Sequence, residues 1–306
     1  MSHVAYELGT QPECWERAVE LAPARRAVLP RPGERTAIVG CGTSYYMAQA
    51  AAALREEAGQ GETDAFPASE FPLHRRYDRV VALTRSGTTT EVLDLLAGLR
   101  DAGVPTTAVV GDPATPVMSL ADELVVLDFA DEQSVVQTRF ATTALTLLRA
   151  HVGQQPAITA ALTAAVADAR AALAQPLPEQ AVSSGQFTFL GRGWSVGLAH
   201  EAALKMREAS LSWAESYPAM EYRHGPISIT GPGTVTWCLG EAPEGLAEQV
   251  HAAGGQWVAG RLDPLAELVR VHRLALAVAA HQELDPDRPR NLTRSVILAA
   301  GEEAVR

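Results

Sequence analysis

The chain has 306 residues, 47% of them hydrophobic and 20% charged, an ordinary globular balance for a protein of roughly two domains. It carries 25 Lys and Arg against 36 Asp and Glu, a formal net charge of −11, and this excess of acid argues against a nucleic-acid partner. Its three cysteines form no CxxC motif, and it contains neither a secretion signal nor a membrane-length apolar stretch, so we expect a cytoplasmic location.

In the first half of the chain, short apolar strands alternate with helical stretches. The pattern predicts strands over 36–39, 79–83, 106–110 and 124–127 and helices over 47–57, 92–99 and 140–150. Continuous apolar strands separated by helices are typical of a parallel sheet that is covered on both faces. This half is therefore predicted to be a doubly wound α/β domain.

The second half of the chain starts a new cycle of the same kind. An Ala-rich helix ends at Pro176 and Pro178, and the following residues predict a strand over 186–190, a glycine turn and a helix over 194–210. Further strands are predicted over 234–239 and 256–259. We expect two domains of one architecture, residues 1–155 and residues 156–306, the second of which includes the C-terminal tail.

Two turns rich in glycine and hydroxyl groups follow neighbouring predicted strands, at 40–44 and 84–89. Free N–H groups at a helix N-terminus favour an anion, and the carboxyl ends of parallel strands meet at one edge of the sheet. Either turn alone also fits a Ser/Thr helix cap, but the coincidence of two favours a phosphate site. Neither turn has a Walker lysine or the dinucleotide glycine fingerprint, so a phosphomonoester is favoured over a nucleotide.

Glu201, Lys205 and Glu208 are spaced at i, i+4 and i+7, which places them on one face of a helix. Such a row is either a solvated ladder of ion pairs or a catalytic face, and the spacing leaves both open. His224 precedes a Gly-Pro break, where an exposed imidazole can act as an acid or a base. A lone loop histidine is more often only polar surface.

Taken as an ordered series, these motifs resemble the double sugar-isomerase (SIS) domain family, and most closely the isomerase half of glucosamine-fructose-6-phosphate aminotransferase. The matching pieces span nearly the whole chain: Glu7, Gln11-Pro12, 40–45, 68–71, Ser86-Gly87, 191–193, 201–208, Ala214-Glu215, 224–226 and 289–292. The series is far more specific than any one of its members.

The resemblance implies a homodimer with two flavodoxin-like SIS domains per chain, a hexose 6-phosphate as ligand and no cofactor. It implies that Glu208 moves a proton between C1 and C2 and that His224 opens the sugar ring from the other subunit. Lys205, the only lysine of the chain, lies on the same helix as Glu208; it either orients this carboxylate or a substrate oxygen, or forms a structural ion pair. The implied phosphate contacts are Thr43, Ser44, Thr84, Arg85, Ser86 and Thr89.

The sequence departs from the synthase pattern at informative positions. Arg294 stands where that pattern has a lysine that forms a Schiff base with the ketose, and an arginine stays protonated and cannot form one. Thr88 replaces a glutamate of the synthase turn, and the Thr-Arg-Ser-Gly form at 84–87 resembles deaminase and ketose/aldose isomerase relatives. The chain starts directly with the SIS-like segment, so we expect no glutamine-fed synthesis.

Several activities remain open at this point. Proton abstraction at C2 of a ring-opened amino-sugar 6-phosphate leads to isomerising deamination, to dehydration of an N-acetylated sugar, or to aldose–ketose isomerisation of a hydroxy sugar. Deamination of glucosamine 6-phosphate is the first expectation, and dehydration of N-acetylglucosamine 6-phosphate is the second. A non-catalytic sugar-phosphate sensor is a further alternative. A metal-dependent isomerase is disfavoured because no His, Asp and Glu cluster has ligand spacing.

Overall fold

The computed structural model describes residues 2–153 and 156–298, and within them the strands form two parallel sheets. The strands are β1 Thr36–Gly40, β2 Thr63–Pro67, β3 Arg79–Thr84, β4 Thr106–Val110, β5 Glu123–Val126, β6 Gln186–Gly191, β7 Trp213–Pro218, β8 Thr234–Leu239 and β9 Gln256–Ala259. The helices are α1 His3–Gly9, α2 Gln11–Leu21, α3 Thr43–Glu57, α4 Thr90–Asp101, α5 Arg139–Val152, α6 Pro156–Ala174, α7 Glu179–Val182, α8 Ser195–Ser210, α9 Leu246–Ala252 and α10 Pro264–His281. None of these helices is both long and apolar enough to cross a membrane.

The first sheet has the strand order β2-β1-β3-β4-β5, which is the flavodoxin-like doubly wound order. Strands β1, β3 and β4 are buried along their whole length, which explains why each reads as a continuous apolar run. The prediction of a parallel α/β sheet is confirmed. Edge strand β2 was not predicted, because only its first residue is buried and its sequence has no apolar run.

The second sheet has the order β7-β6-β8-β9, which repeats the first order without a fifth strand. The predicted strands over 234–239 and 256–259 are confirmed as β8 and β9. Edge strand β7 is mostly exposed or half-buried and carries no hydrophobic run, so its pattern gave no signal. The predicted domain boundary after residue 155 falls on residues that the structure does not describe, and residues 299–306 lie outside the described residues as well.

Helices α3 and α8 join the two halves of the chain along a close contact. Gly197 on α8 lies so near α3 that a Cβ at this position would fall 2.5 Å from the carbonyl oxygen of Tyr46 and 2.8 Å from the amide nitrogen of Ala50. One hydrophobic core contains buried side chains from both halves, among them Phe140 and Phe189. The packing therefore fixes the start of α3 beside the face of α8.

Candidate active site

The predicted row on α8 is buried between the two halves of the chain. The side chains of Glu201 and Lys205 are each 1% exposed, whereas that of Glu208 is 18% exposed. Lys205 Nζ lies 3.4 Å from Glu201 Oε1 and forms a closer ion pair with Glu208 Oε2. The row is therefore not a solvated ladder, and Glu208 is its most accessible carboxylate.

The first glycine-rich turn meets this row directly. Thr43 begins α3, and its Oγ1 donates a hydrogen bond of 3.3 Å to Glu201 Oε1. The neighbouring Ser44 is also buried, with 4% of its surface exposed. The close packing of α3 on α8 thus brings a predicted phosphate-binding turn and the predicted catalytic helix to one place.

Burial and mutual charge determine the ionisation of this row. Burial raises the pKa of Glu201 to about 8, and the charge of Glu208 adds to that shift, while Lys205 and Thr43 oppose it. Burial alone would lower the pKa of Lys205, but the two carboxylates outweigh it and raise that pKa. At neutral pH Glu201 is therefore largely protonated, and the ammonium group of Lys205 forms its ion pair with Glu208.

The raised pKa of Glu201 predicts a pH-dependent stability. Between its ordinary pKa of 4.5 and about 8, the folded chain keeps this proton and the unfolded chain releases it. The free energy of unfolding must therefore fall as pH rises through that window. We expect the Tm of the native protein to drop roughly 5 °C more than that of Glu201→Gln between pH 5 and pH 8. If the Tm of both proteins changes by the same amount between pH 5 and pH 8, the raised pKa of Glu201 is not the cause.

The second turn presents its hydroxyl groups to residues 291–298, which are called the tail from here on. Ser86 Oγ, Thr88 Oγ1 and Thr89 Oγ1 lie 3.1, 3.0 and 3.3 Å from Ser295 Oγ. Gly87, with φ of 62°, makes the turn possible, because a Cβ there would fall 2.1 Å from Thr115 Oγ1. Two predicted phosphate-binding hydroxyls, those of Ser86 and Thr89, thus form one cluster with Thr88 around a serine of the tail.

Thr84 lies at the base of this turn and contributes to its shape. It ends β3, and its Oγ1 accepts a hydrogen bond of 3.3 Å from the amide of Gly87. Because β1 and β3 are neighbours in the sheet, the two predicted phosphate-binding turns leave the same edge. The structure therefore places both turns at the carboxyl ends of adjacent parallel strands.

The two predicted arginines contact protein groups around the tail. Arg85 is buried, which lowers its pKa, and its guanidinium donates to the carbonyl oxygens of Ser134 at 2.7 Å and Arg294 at 2.5 Å. The Arg294 guanidinium donates to both carboxylate oxygens of Asp131, at 2.7 and 2.9 Å, and to the carbonyl oxygen of Glu132 at 3.0 Å. Both side chains thereby fasten the tail to the first half of the chain.

The side chain of His224 shares no hydrogen bond or ion pair with the row on α8 in the part of the chain that the structure describes. It is exposed at the end of a single 3-10 turn, Glu221–His224, and forms no side-chain hydrogen bond or ion pair within residues 2–153 and 156–298. Across the same ranges, no group of three or more His, Cys, Asp or Glu side chains is placed to hold a metal ion. The structure therefore brings Thr43, Lys205 and Glu208 together and leaves His224 on the surface of the protomer.

The sequence analysis missed the acidic residues that hold the tail and the role of Ser295. Glu132 is fully buried and accepts hydrogen bonds from the amides of Thr138 at 2.6 Å and Arg139 at 2.9 Å, at the start of α5. No local signal marks this contact, because Glu132 lies six residues before Thr138 and the first turn of α5 contains no acidic residue. Nothing local in the sequence places Ser295 against the second turn, because the contact spans 209 residues.

Comparison with known sequences gives a family match over the first sheet. Residues 31–152 match the SIS domain family. The chain is 27% identical over 309 aligned positions to glutamine–fructose-6-phosphate aminotransferase of Listeria monocytogenes, an alignment that covers 86% of this chain and 51% of that protein. The chain thus spans about half the length of this curated relative, and the predicted SIS segment is confirmed for the first half.

Comparison with solved structures extends the likeness to the whole fold. Glucosamine-6-phosphate deaminase of Thermotoga maritima superposes with a TM-score of 0.82 at 22% identity, covering 97% of this chain and 100% of that one. Tagatose-6-phosphate ketose/aldose isomerase of Escherichia coli superposes with a TM-score of 0.78 at 17% identity, covering 94% and 95%. At these identities the likeness shows the fold, which the chain shares with phosphosugar enzymes.

Proposed function

We propose that this protein is an enzyme of amino-sugar 6-phosphates and that its first activity is the isomerising deamination of glucosamine 6-phosphate. The observation that carries the proposal is the buried Glu201–Lys205–Glu208 row, which contacts the first phosphate-binding turn through Thr43. A carboxylate in a partly closed site beside a fixed positive charge is suited to moving a carbon-bound proton. The fold, shared with a deaminase and an isomerase of sugar phosphates, supports this choice.

The substrate phosphate is assigned to the two turns at the carboxyl edge of the first sheet. Hydroxyl groups and helix N-terminal amides at adjacent strand ends provide donors that converge on an anion. The assigned groups are Thr43, Ser44, Thr84, Arg85, Ser86 and Thr89. Arg85 acts here through its buried charge and through the carbonyl groups that it holds.

The chemistry starts on the ring-opened sugar. Glu208 takes the proton from C2, the electron pair of the broken C–H bond forms a C1–C2 double bond, and the electron pair of the C1 carbonyl moves onto its oxygen to give an enolate. The ammonium group of Lys205 keeps Glu208 in place and stabilises the negative charge that develops on the sugar oxygen. Glu208 returns its proton to C1, and a proton moves from the nitrogen to the C1 oxygen, which leaves a ketimine at C2. Water adds to this carbon, and ammonia then leaves to give fructose 6-phosphate.

A Schiff-base route does not fit the residues present. Lys205 is the only lysine of the chain, and its ammonium group is held between the side chains of Glu201 and Glu208. Arg294 offers a guanidinium group instead of an amine, and this group is engaged by Asp131. We therefore propose that the protein does not act as a glutamine-dependent synthase, although the curated relative it resembles carries that name.

The proposal includes the assembly in which this site operates. The second sheet repeats the strand order of the first, which supports a second SIS domain in the chain. We place the protein in the cytoplasm as a homodimer in which His224 of one protomer serves the site of its partner. The exposure of His224 and its lack of bonds to α8 in the described ranges support this placement.

Two other activities remain candidates with distinct products. Dehydration would act on N-acetylglucosamine 6-phosphate, since an acetamide nitrogen is hard to expel and the C3 hydroxyl leaves instead. A non-catalytic sensor would bind sugar phosphate without turnover, and the buried ion-paired row on α8 gives such a protein no evident benefit. The dehydratase is therefore the stronger of the two.

Incubation with the two substrates tests the proposal. Purified protein is given glucosamine 6-phosphate or N-acetylglucosamine 6-phosphate, and ammonia and product mass are followed together. We expect ammonia and fructose 6-phosphate from the free amine. A product lighter by one water from the acetylated sugar would establish the dehydratase, and binding without any turnover would establish the sensor.

A further inference from the structure

We infer that the C-terminal tail is an internal competitor for the phosphate site, with Ser295 seated where a phosphate oxygen binds. The inference rests on the phosphate-binding part of the proposed function and goes beyond it, because it makes ligand affinity depend on release of the tail. Here the tail means residues 291–298.

The side-chain contacts of Ser295 match those of a bound oxyanion. Its Oγ lies within 3.0 to 3.3 Å of three hydroxyl groups of the second turn, those of Ser86, Thr88 and Thr89. Two of these residues are assigned to the substrate phosphate. The hydroxyl of Ser295 must therefore leave before a phosphate oxygen can hydrogen-bond to these three groups.

The backbone of the tail also forms hydrogen bonds with the start of α4. The amide of Thr90, the first residue of α4, donates to the carbonyl oxygen of Val296 at 3.1 Å. Leu298 returns a hydrogen bond from its amide to Thr90 Oγ1 at 3.0 Å. An amide at a helix N-terminus is a natural anion donor, and here a carbonyl oxygen of the chain itself takes that place.

The tail is held in this position by two contacts of Arg294, which together are called the latch. Arg294 is paired with Asp131, and its carbonyl oxygen accepts a hydrogen bond from the buried Arg85 guanidinium. The ion pair is half-exposed, with side-chain exposures of 36% for Arg294 and 31% for Asp131, so it is open to solvent. Ligand binding and tail release are therefore linked: what favours the docked tail weakens phosphate binding, and a bound phosphate frees the tail.

Limited proteolysis with trypsin measures this linkage on the full chain. Cleavage after Arg294 removes residues 295–306 and is read by intact mass. Because the docked guanidinium is held by Asp131, we expect slow cleavage in the free protein and at least about threefold faster cleavage with saturating inorganic phosphate or glucosamine 6-phosphate. Asp131→Asn, which weakens the latch, should show fast cleavage without any ligand.

Calorimetric titration with inorganic phosphate provides the second measurement. Ser295→Ala removes the competing hydroxyl, so phosphate should bind about fivefold more tightly than to the native protein. Thr293→Ala, whose hydroxyl bonds only within the tail, is the matched control and should leave the affinity unchanged. Weaker binding to Ser295→Ala, or cleavage that phosphate slows or leaves unaltered, would overturn the inference.

The two proposals fail in different ways. Tail release by phosphate without any turnover of either amino sugar would overturn the proposed activity and leave the internal competitor standing. Ammonia release from glucosamine 6-phosphate without a tail response would overturn only the competitor. If neither phosphate nor the sugar phosphate binds, the phosphate assignment and the competitor are both wrong.

Discussion

Replacing Glu208 by glutamine is expected to lower the turnover of glucosamine 6-phosphate by roughly 100-fold to 10,000-fold, the range typical of a positioned general base. A glutamine amide has nearly the same shape as the carboxylate but cannot accept the C2 proton. Its oxygen can still accept a hydrogen bond from Lys205, so the row on α8 should keep its arrangement. Binding of the sugar phosphate should change only a few-fold, and kcat should carry the loss.

Glu248→Gln is the matched control for this substitution. Glu248 is exposed on α9, so its replacement should leave both turnover and binding unchanged. Mixing Glu208→Gln with His224→Ala subunits tests the proposed dimer. If His224 serves the site of its partner, a mixed dimer contains one site with both groups intact, and turnover should return. Equal turnover by native protein and Glu208→Gln would remove Glu208 from the mechanism.

Gly197→Ala is expected to destabilise the protein by about 3 kcal/mol and to reduce turnover, because a methyl group there overpacks the contact between α3 and α8. The added Cβ would meet the backbone of Tyr46 and Ala50 at 2.5 and 2.8 Å, and backbone atoms cannot rotate away as a side chain can. Separation of the two helices also lengthens the hydrogen bond from Thr43 to Glu201. Denaturant unfolding and steady-state kinetics measure the two effects.

Gly98→Ala serves as the control in another helix. Gly98 lies in α4, and a Cβ there would have no neighbour within 4 Å. Alanine is the better helix former, so this variant should be stabilised by about 0.5 to 1 kcal/mol. If Gly197→Ala behaves like Gly98→Ala, the close approach of α3 and α8 does not position the site.

The sequence predicts well those parts of the fold that are buried on both faces. Strands β1, β3 and β4 are continuous apolar runs because helices cover the sheet on each side. Edge strands β2 and β7 escaped prediction because their sequences contain no apolar run, whereas the short apolar runs of edge strands β5 and β9 were enough to predict them. The spacing of Glu201, Lys205 and Glu208 predicted one helix face, but only the packing of α3 shows that the face is buried.

The rest of the site depends on contacts between distant parts of the chain. Asp131 meets Arg294 across 163 residues, and Ser86 meets Ser295 across 209. Pairings of this kind leave no local periodicity or spacing, so sequence patterns alone cannot show them. The same holds for the raised pKa of Glu201, which arises from burial between the two halves.

The most direct test of the mechanism follows the hydrogen at C2 of the sugar. Glucosamine 6-phosphate carrying deuterium at C2 is incubated with the native protein and with Glu208→Gln, and the label and the ammonia are measured together. We expect the native protein to remove the label from C2 as ammonia appears, and Glu208→Gln to leave it in place. Retention of the label by the native protein, or equal loss with Glu208→Gln, would contradict proton abstraction by Glu208.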